Sequence, residues 1–215
     1  MANAETYGWD WTRFAGSQEA LKWNRRDLHG LDAVIKLTRG RTAAVQAGGN
    51  LGIWPKRLAR DFTTVYTFEA DPGCFLMLAM NAREPNILKF QAALGAERGL
   101  VGTSQIRRDG KLINHEGIRH IAGPGCIPTL RIDDLALPVC DLIYLDVEGW
   151  ELYALRGAVE TIARCRPVLA VEINKNIAFV GFSKEDVRNQ IRDYDYRHVL
   201  DVSKDEVYVP AEWAA

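Results

Sequence analysis

Thr42-Ala-Ala-Val-Gln46-Ala-Gly48-Gly49-Asn50-Leu-Gly52 is the stretch on which the fold turns. Thr42 to Ala47 read as a short buried strand. The glycines that follow let the backbone turn tightly and come close to a ligand. A helix through Trp54-Pro-Lys-Arg-Leu-Ala-Arg60 opens after the turn, so its free N–H groups face the same place. Pro55 fits that helix only in its first turn, where a missing N–H breaks no bond. The spacing is not GxGxxG, so the dinucleotide fingerprint is not met. On its own, such a turn serves equally as a tight structural connection.

The sequence around this turn alternates strand and helix. Thr63 to Phe68 form a second strand ending at Glu69, and a helix follows from about Pro72 to Arg83 with Phe75, Leu78 and Ala79 on one face. Asn86 to Gln91 make a third strand. Ala96 to Ile127 break the rhythm, with a hairpin signal at Asp109-Gly110 and loop glycines. Regularity returns with Asp141 to Leu145, which meets Asp146, and one helix from about Trp150 to Arg164. The strand Pro167 to Val171 ends at Glu172, and Ser183 caps the next helix with Asp186 at its third position. Tyr196 to Val202 and Glu206 to Val209 close the chain, and their short link makes them antiparallel. The class is therefore α/β, a mostly parallel sheet with helices on both faces and a C-terminal antiparallel hairpin. Such sheets bind ligands at the carboxyl ends of their strands. Gln46, Glu69, Asp146 and Glu172 all fall at such ends and are expected to converge. Glu69, about twenty residues beyond the glycine turn, is placed to accept hydrogen bonds from both hydroxyls of a ribose.

With 215 residues the chain can bury one sizeable core but hardly two. Residues 41–215 are read as one ligand-binding domain, and residues 1–40 as an aromatic-rich helical extension. Tyr7, Trp9, Trp11, Phe14 and Trp23 concentrate there, and Ser17 is a helix cap. Packing onto the core, a lid over a substrate pocket and a homodimer contact are the roles open to it. A net charge of -1 provides no basic field for nucleic acid, and the pairs Arg25/Arg26 and Arg107/Arg108 read as solvated surface. No secretory leader is visible, and no run approaches the roughly 20 apolar residues of a membrane helix. Cys74, Cys126, Cys140 and Cys165 form no CxxC pair and suit reduced thiols, so a cytoplasmic location is expected.

Several motifs over about Ala43 to Asn174 resemble the FkbM family of S-adenosylmethionine-dependent methyltransferases. The glycine loop is similar to the family pattern at Gly48, Asn50 and Gly52. Phe68-Glu-Ala-Asp71-Pro72 resembles its phenylalanine-glutamate-proline segment, and Asn81 its helix asparagine. Ala93-Leu94-Gly95 resembles the turn bordering adenine. Thr129-Leu-Arg-Ile-Asp133-Asp134-Leu135 is similar to its threonine-leucine-aspartate-aspartate-leucine run, with one residue extra. Most specific are Asp146-Val-Glu148-Gly149-Trp-Glu151, Leu155-Arg-Gly157-Ala158 and Arg166-Pro167. Three positions depart from the pattern. Gln46 stands for an aspartate, Tyr144 for a lysine and Ala70 for a proline.

The resemblance implies a Rossmann-like class I methyltransferase with a seven-stranded sheet, binding S-adenosylmethionine through Gln46, Gly48, Gly49, Asn50, Gly52, Glu69, Ala70, Ala93, Leu94 and Asp146. It implies methyl transfer to a hydroxyl of a sugar or small metabolite. Asp146 is the first candidate for cofactor or acceptor contact, Glu148 for the base or acceptor-orienting group, and Glu172 the third candidate. His115 or His120 in the insertion is a further candidate base. Glu148 and Glu151 also suit the start of the helix near Gly149 as capping carboxylates. Asp146, Glu148 and Glu172 offer oxygens that would suit Mg²⁺ or Ca²⁺, but the resemblance requires no metal, and none is expected. His115-Glu116 and His120 do not have zinc-protease spacing. Two other readings are a nucleic-acid methyltransferase, against which the missing Asn/Asp-Pro-Pro-Tyr motif counts, and a cofactor-binding protein without catalysis, suggested by Gln46 and Tyr144.

Overall fold

The computed structural model describes residues 28, 30–105, 107–108, 111–112, 119–121 and 123–213. Seven strands build the main sheet. They are β1 (Ala43–Ala47), β2 (Thr64–Phe68), β3 (Ile87–Phe90), β4 (Leu142–Leu145), β5 (Val168–Glu172), β6 (Tyr196–Val202) and β7 (Asp205–Pro210). Their order is β3-β2-β1-β4-β5-β7-β6. The first five are parallel, and β7 is antiparallel to both β5 and β6, as expected. The order reverses direction beside β1, between β2 and β4. That is the switch point at which open α/β sheets hold ligands.

Strand parity divides the core. Val45, Ala47, Ile143 and Leu145 face one side, with α4 (Glu151–Arg156), α5 (Val159–Cys165) and α6 (Lys184–Asp193). Ala44, Leu142 and Tyr144 face the other, with α1 (residues 30–37), α2 (Ile53–Leu58) and α3 (Pro72–Asn81). Leu31, Val34 and Ile35 of α1 are buried there, so this part of the N-terminal segment packs onto the core. The aromatics from Tyr7 to Trp23, and Ser17, lie outside the described residues.

Three local readings need correction. Ala79 is exposed, because the buried face of α3 runs through Cys74, Met77, Leu78 and Asn81. The single helix expected from Trp150 to Arg164 is two helices. An added Cβ at Gly157 would lie 2.0 Å from the Gly95 carbonyl, and the Gly157 carbonyl accepts the Asp133 N–H, so neighbouring backbone interrupts the helical run. The Asp133 carboxylate then accepts the N–H groups of Glu160 and Thr161 and caps α5 from a distance. The irregular middle section holds short strands: Ala93–Leu94, Ile127–Leu130 and Gly99–Val101 pair, as do Thr103–Gln105 with Arg119–Ile121. Arg107–Arg108 and Lys111–Leu112 pair as a hairpin around the predicted turn. Asp109 and Gly110 are not among the described residues.

Ser183 caps α6 as expected, and its partner in the capping box is Asp186. No disulfide joins the four cysteines, of which Cys74 and Cys140 are buried and Cys126 exposed. Among the described residues no helix is long and apolar enough to cross a membrane.

Candidate active site

The glycine turn folds over the ends of β2 and β4. Gly48 and Gly49 donate their N–H groups to the Phe68 carbonyl at 3.0 and 2.9 Å. Gly48 has φ +85°, and a Cβ there would sit 1.8 Å from the Asp146 carbonyl oxygen. Only glycine fits such a position. Asn50 donates its N–H to Glu69 Oε2 at 2.7 Å, and the Asp71 N–H reaches Oε1 at 2.8 Å. The carboxylate of Glu69 is thus held at the strand end. Burial raises its pKa to about 7, against the two backbone N–H groups that favour the ionised form.

A cleft opens here at the carboxyl ends of the strands. Gly48, Asn50, Glu69, Ala70, Ala93, Leu94, Asp146 and Glu148 line it, as the sequence led us to expect for the ligand end of the sheet. Ala47, Phe68, Asp71, Ala92, Thr103, Ile121 and Val147 join them, none of which was expected as a site residue. Asn50 Oδ1 is buried without a hydrogen-bond partner, an acceptor that a ligand donor would satisfy.

Three expected contacts are absent from the cleft lining. Gln46 is fully buried, accepts the Thr67 hydroxyl at 2.5 Å and donates to the Ala47 carbonyl. Strand parity is the reason, because Gln46 shares the Ala44 face while Ala47 takes the cleft face. Gly49 and Gly52 instead admit α3. A Cβ on Gly49 would meet Leu78 at 2.8 Å, and one on Gly52 would meet Ala82 at 3.2 Å. Asn81 completes this packing by donating to the Leu51 carbonyl at 2.9 Å. His115 lies outside the described residues, and nothing about the His120 side chain is described.

Two of the lining residues, Asp146 and Glu148, belong to an acidic cluster with Glu172, which is buried and not itself in the lining. Asp146, Glu148 and Glu172 each bring a carboxylate oxygen within 4.8 Å of the others. Such a group suits either shared protons or a divalent cation. Glu148 holds φ +53°, rare for a non-glycine residue, and Gly149 follows at φ +106°. This turn presses on Asn176, whose carbonyl oxygen would lie 2.5 Å from a Cβ on Gly149. Asn176 Nδ2 donates to Glu148 Oε2 and Asn174 Nδ2 to Glu172 Oε2, both at 2.5 Å. Asn174 Oδ1 in turn accepts the Asn176 N–H at 2.6 Å. The sequence signal for this clamp, two asparagines just past a strand end, went unread.

Burial, then the charges of Asp146 and Glu148, drives the Glu172 pKa to about 11. Burial and Asp146 bring Glu148 to about 7. Both are pushed up, and Glu172 holds its proton more tightly than Glu148. Glu151, at the first position of α4, turns back on the preceding turn. Its Oε1 accepts the N–H groups of Val147 and Gly149 at 3.1 Å each and so braces the turn that carries Glu148. Burial lifts its pKa to about 8. A carboxyl raised from 4.5 to about 8 on folding contributes stability below about pH 4.5 that is lost as pH rises towards 8. Glu151→Gln, which keeps the acceptor, should flatten this part of the pH–stability curve in denaturation experiments. Glu151→Ala should cost about 1–3 kcal/mol by leaving buried N–H groups unpaired.

A sheet of this order with a strand-end cleft defines a methyltransferase-type fold. Residues 48–198 match the methyltransferase FkbM domain, and the chain belongs to that family. A search of curated proteins finds no match. Among solved structures the chain is similar to a methyltransferase FkbM from Methylobacillus flagellatus KT (22% identity, TM-score 0.53), covering 81% of this chain and 45% of that one. The chain thus spans less than half of that relative's length. A SAM-dependent methyltransferase from Leishmania major matches at 11% identity and TM-score 0.53, covering 91% and 76%. The magnesium protoporphyrin IX methyltransferase of Synechocystis PCC 6803, solved with bound SAM, matches at 12% identity and TM-score 0.51, covering 95% and 87%. The first resemblance drawn from the motifs is therefore upheld, and S-adenosylmethionine is the cofactor of this family.

Proposed function

We propose that the cleft holds S-adenosylmethionine and that the protein transfers its methyl group to a hydroxyl of a sugar or small metabolite. The observation that carries this reading is Glu69, held by the Asn50 and Asp71 N–H groups in a cleft that the carboxylates of Asp146 and Glu148 also line. Glu69 receives the ribose hydroxyls. Gly48 and Asn50 border the methionine part, and Ala93 and Leu94 border adenine. When bound, the cofactor supplies an electrophilic sulfonium methyl, and holding the acceptor in line with it yields much of the acceleration. Glu148 takes the proton of the acceptor hydroxyl as the new bond to carbon forms. Glu172 stays protonated and Asp146 orients the acceptor.

Carboxylates at the acceptor end repel phosphate, which supports a neutral polyhydroxyl acceptor over nucleic acid. Gln46 and Tyr144 sit in the core with their polar groups paired, so their departure from the family pattern strips nothing from the cleft. That supports activity over a silent cofactor-binding role. Four cysteines joined by no disulfide accord with a cytoplasmic location. We further propose that no metal is needed and that EDTA leaves turnover unchanged.

Glu69 provides the experiment. Glu69→Ala should weaken cofactor binding by about 1–3 kcal/mol in calorimetry. Because the ionised carboxylate is the better acceptor, wild-type affinity should fall as pH drops below about 7, and the variant should lose that dependence. Unchanged affinity in the variant removes the ribose assignment. A methyl-release assay over glycans, hydroxylated metabolites and nucleic acids identifies the acceptor.

A further inference from the structure

The turn joining β6 to β7 sets a positive charge against the acidic cluster. Lys204 lies in that turn with Ser203 at φ +58°, and its carbonyl accepts the Ile173 N–H at 3.3 Å. Its ammonium is 3.5 Å from Glu172 Oε1, although most of the side chain faces solvent. Burial pulls the Lys204 pKa down, but Glu172, Asp146 and Glu148 together hold it above the ordinary lysine value, so it stays charged. The turn is fastened from the middle of the sheet. Asp205 stands opposite Glu172 in the β5–β7 ladder, and its carboxylate accepts the hydroxyl of Tyr144, a residue buried in β4.

We propose that Lys204 is a positioning residue that serves Asp146, Glu148 and Glu172 as a tethered counter-cation, in the electrostatic place a divalent ion would take. The Tyr144–Asp205 hydrogen bond fixes the tether. Three carboxylates this close cannot all ionise unaided. A cation beside Glu172 offsets part of their repulsion and leaves Glu148 free to accept a proton. The catalytic part of this inference rests on the methyl-transfer reading, but the electrostatic part does not.

The test compares wild type with Lys204→Met and Lys204→Arg, substitutions at an exposed position. The first arm needs no acceptor and titrates Mn²⁺ by calorimetry. Lys204→Met should bind Mn²⁺ at least about tenfold more tightly than wild type, because the cluster has lost its internal cation, while Lys204→Arg should match wild type. Tyr144→Phe, which removes one hydroxyl, should shift affinity in the same direction by less. Equal Mn²⁺ affinity in wild type and Lys204→Met overturns the proposal, and an unmoved Tyr144→Phe overturns the tether. The second arm measures turnover at saturating cofactor. Lys204→Met should lower kcat about tenfold with cofactor affinity unchanged, and Lys204→Arg should restore it. An unchanged kcat in Lys204→Met overturns the positioning role. A wild type that methylates no acceptor defeats the methyl-transfer reading, and the Mn²⁺ arm still decides the electrostatic one.

Discussion

Glu148→Gln is expected to lower methyl transfer at saturating cofactor by about 10²–10⁴-fold, the usual size of a lost general base, while leaving the cofactor dissociation constant unchanged. The amide keeps an oxygen for the Asn176 Nδ2 donor, so the turn at Val147 to Gly149 should hold its shape. What disappears is the ability to take a proton. Wild-type kcat should climb with pH through about 7, because Glu148, raised by burial and by Asp146, is the base only when ionised. That acid limb should be missing from the residual activity of the variant. Measuring kcat at saturating cofactor separates this limb from the one Glu69 imposes on cofactor binding. A Glu148→Gln enzyme within threefold of wild type would take the proton acceptor away from this residue.

Gly48→Ala should be the most damaging small substitution in the chain. Its methyl would lie 1.8 Å from the Asp146 carbonyl, and φ +85° is costly for any L side chain. Adding the left-handed penalty of about 1–2 kcal/mol to overpacking of about 1–3 kcal/mol predicts a loss of roughly 2–5 kcal/mol. The effect is also functional, because relieving the clash moves the glycine turn away from Asp146 and opens the cleft. Chemical denaturation and cofactor calorimetry should both register it. Gly123→Ala is the matched control. Its φ is +59° with nothing within 4 Å of the added methyl, so it should show the backbone penalty alone and bind cofactor normally.

The mostly parallel sheet with its antiparallel C-terminal pair, and the meeting of Glu69 and Asp146 at one cleft, were legible because hydrophobic runs and strand-end polar residues obey simple periodic rules. Gln46 shows where such reading needs one more step. It is expected at the ligand because it falls at the carboxyl end of β1 and stands where the family has an aspartate, while parity along β1 turns its side chain to the Ala44 face. Some motif residues serve the fold. Asn81, Asp133 and Asp134 stand out as a family pattern, but their side chains hold loops and helix ends together rather than lining the cleft. The break at Gly157 could not be read, since it arises from Gly95 backbone some sixty positions away along the chain. The same holds for Asn174, Asn176 and Lys204. Their importance comes from the carboxylates they meet, and only the assembled sheet brings those together.

Central to the account is that the strand-end cleft is a cofactor site, and calorimetric titration of the wild-type protein with S-adenosylmethionine tests it most directly. The account predicts saturable binding of one cofactor per chain, stronger at pH 8 than at pH 6. No heat of binding at millimolar cofactor at either pH would contradict it.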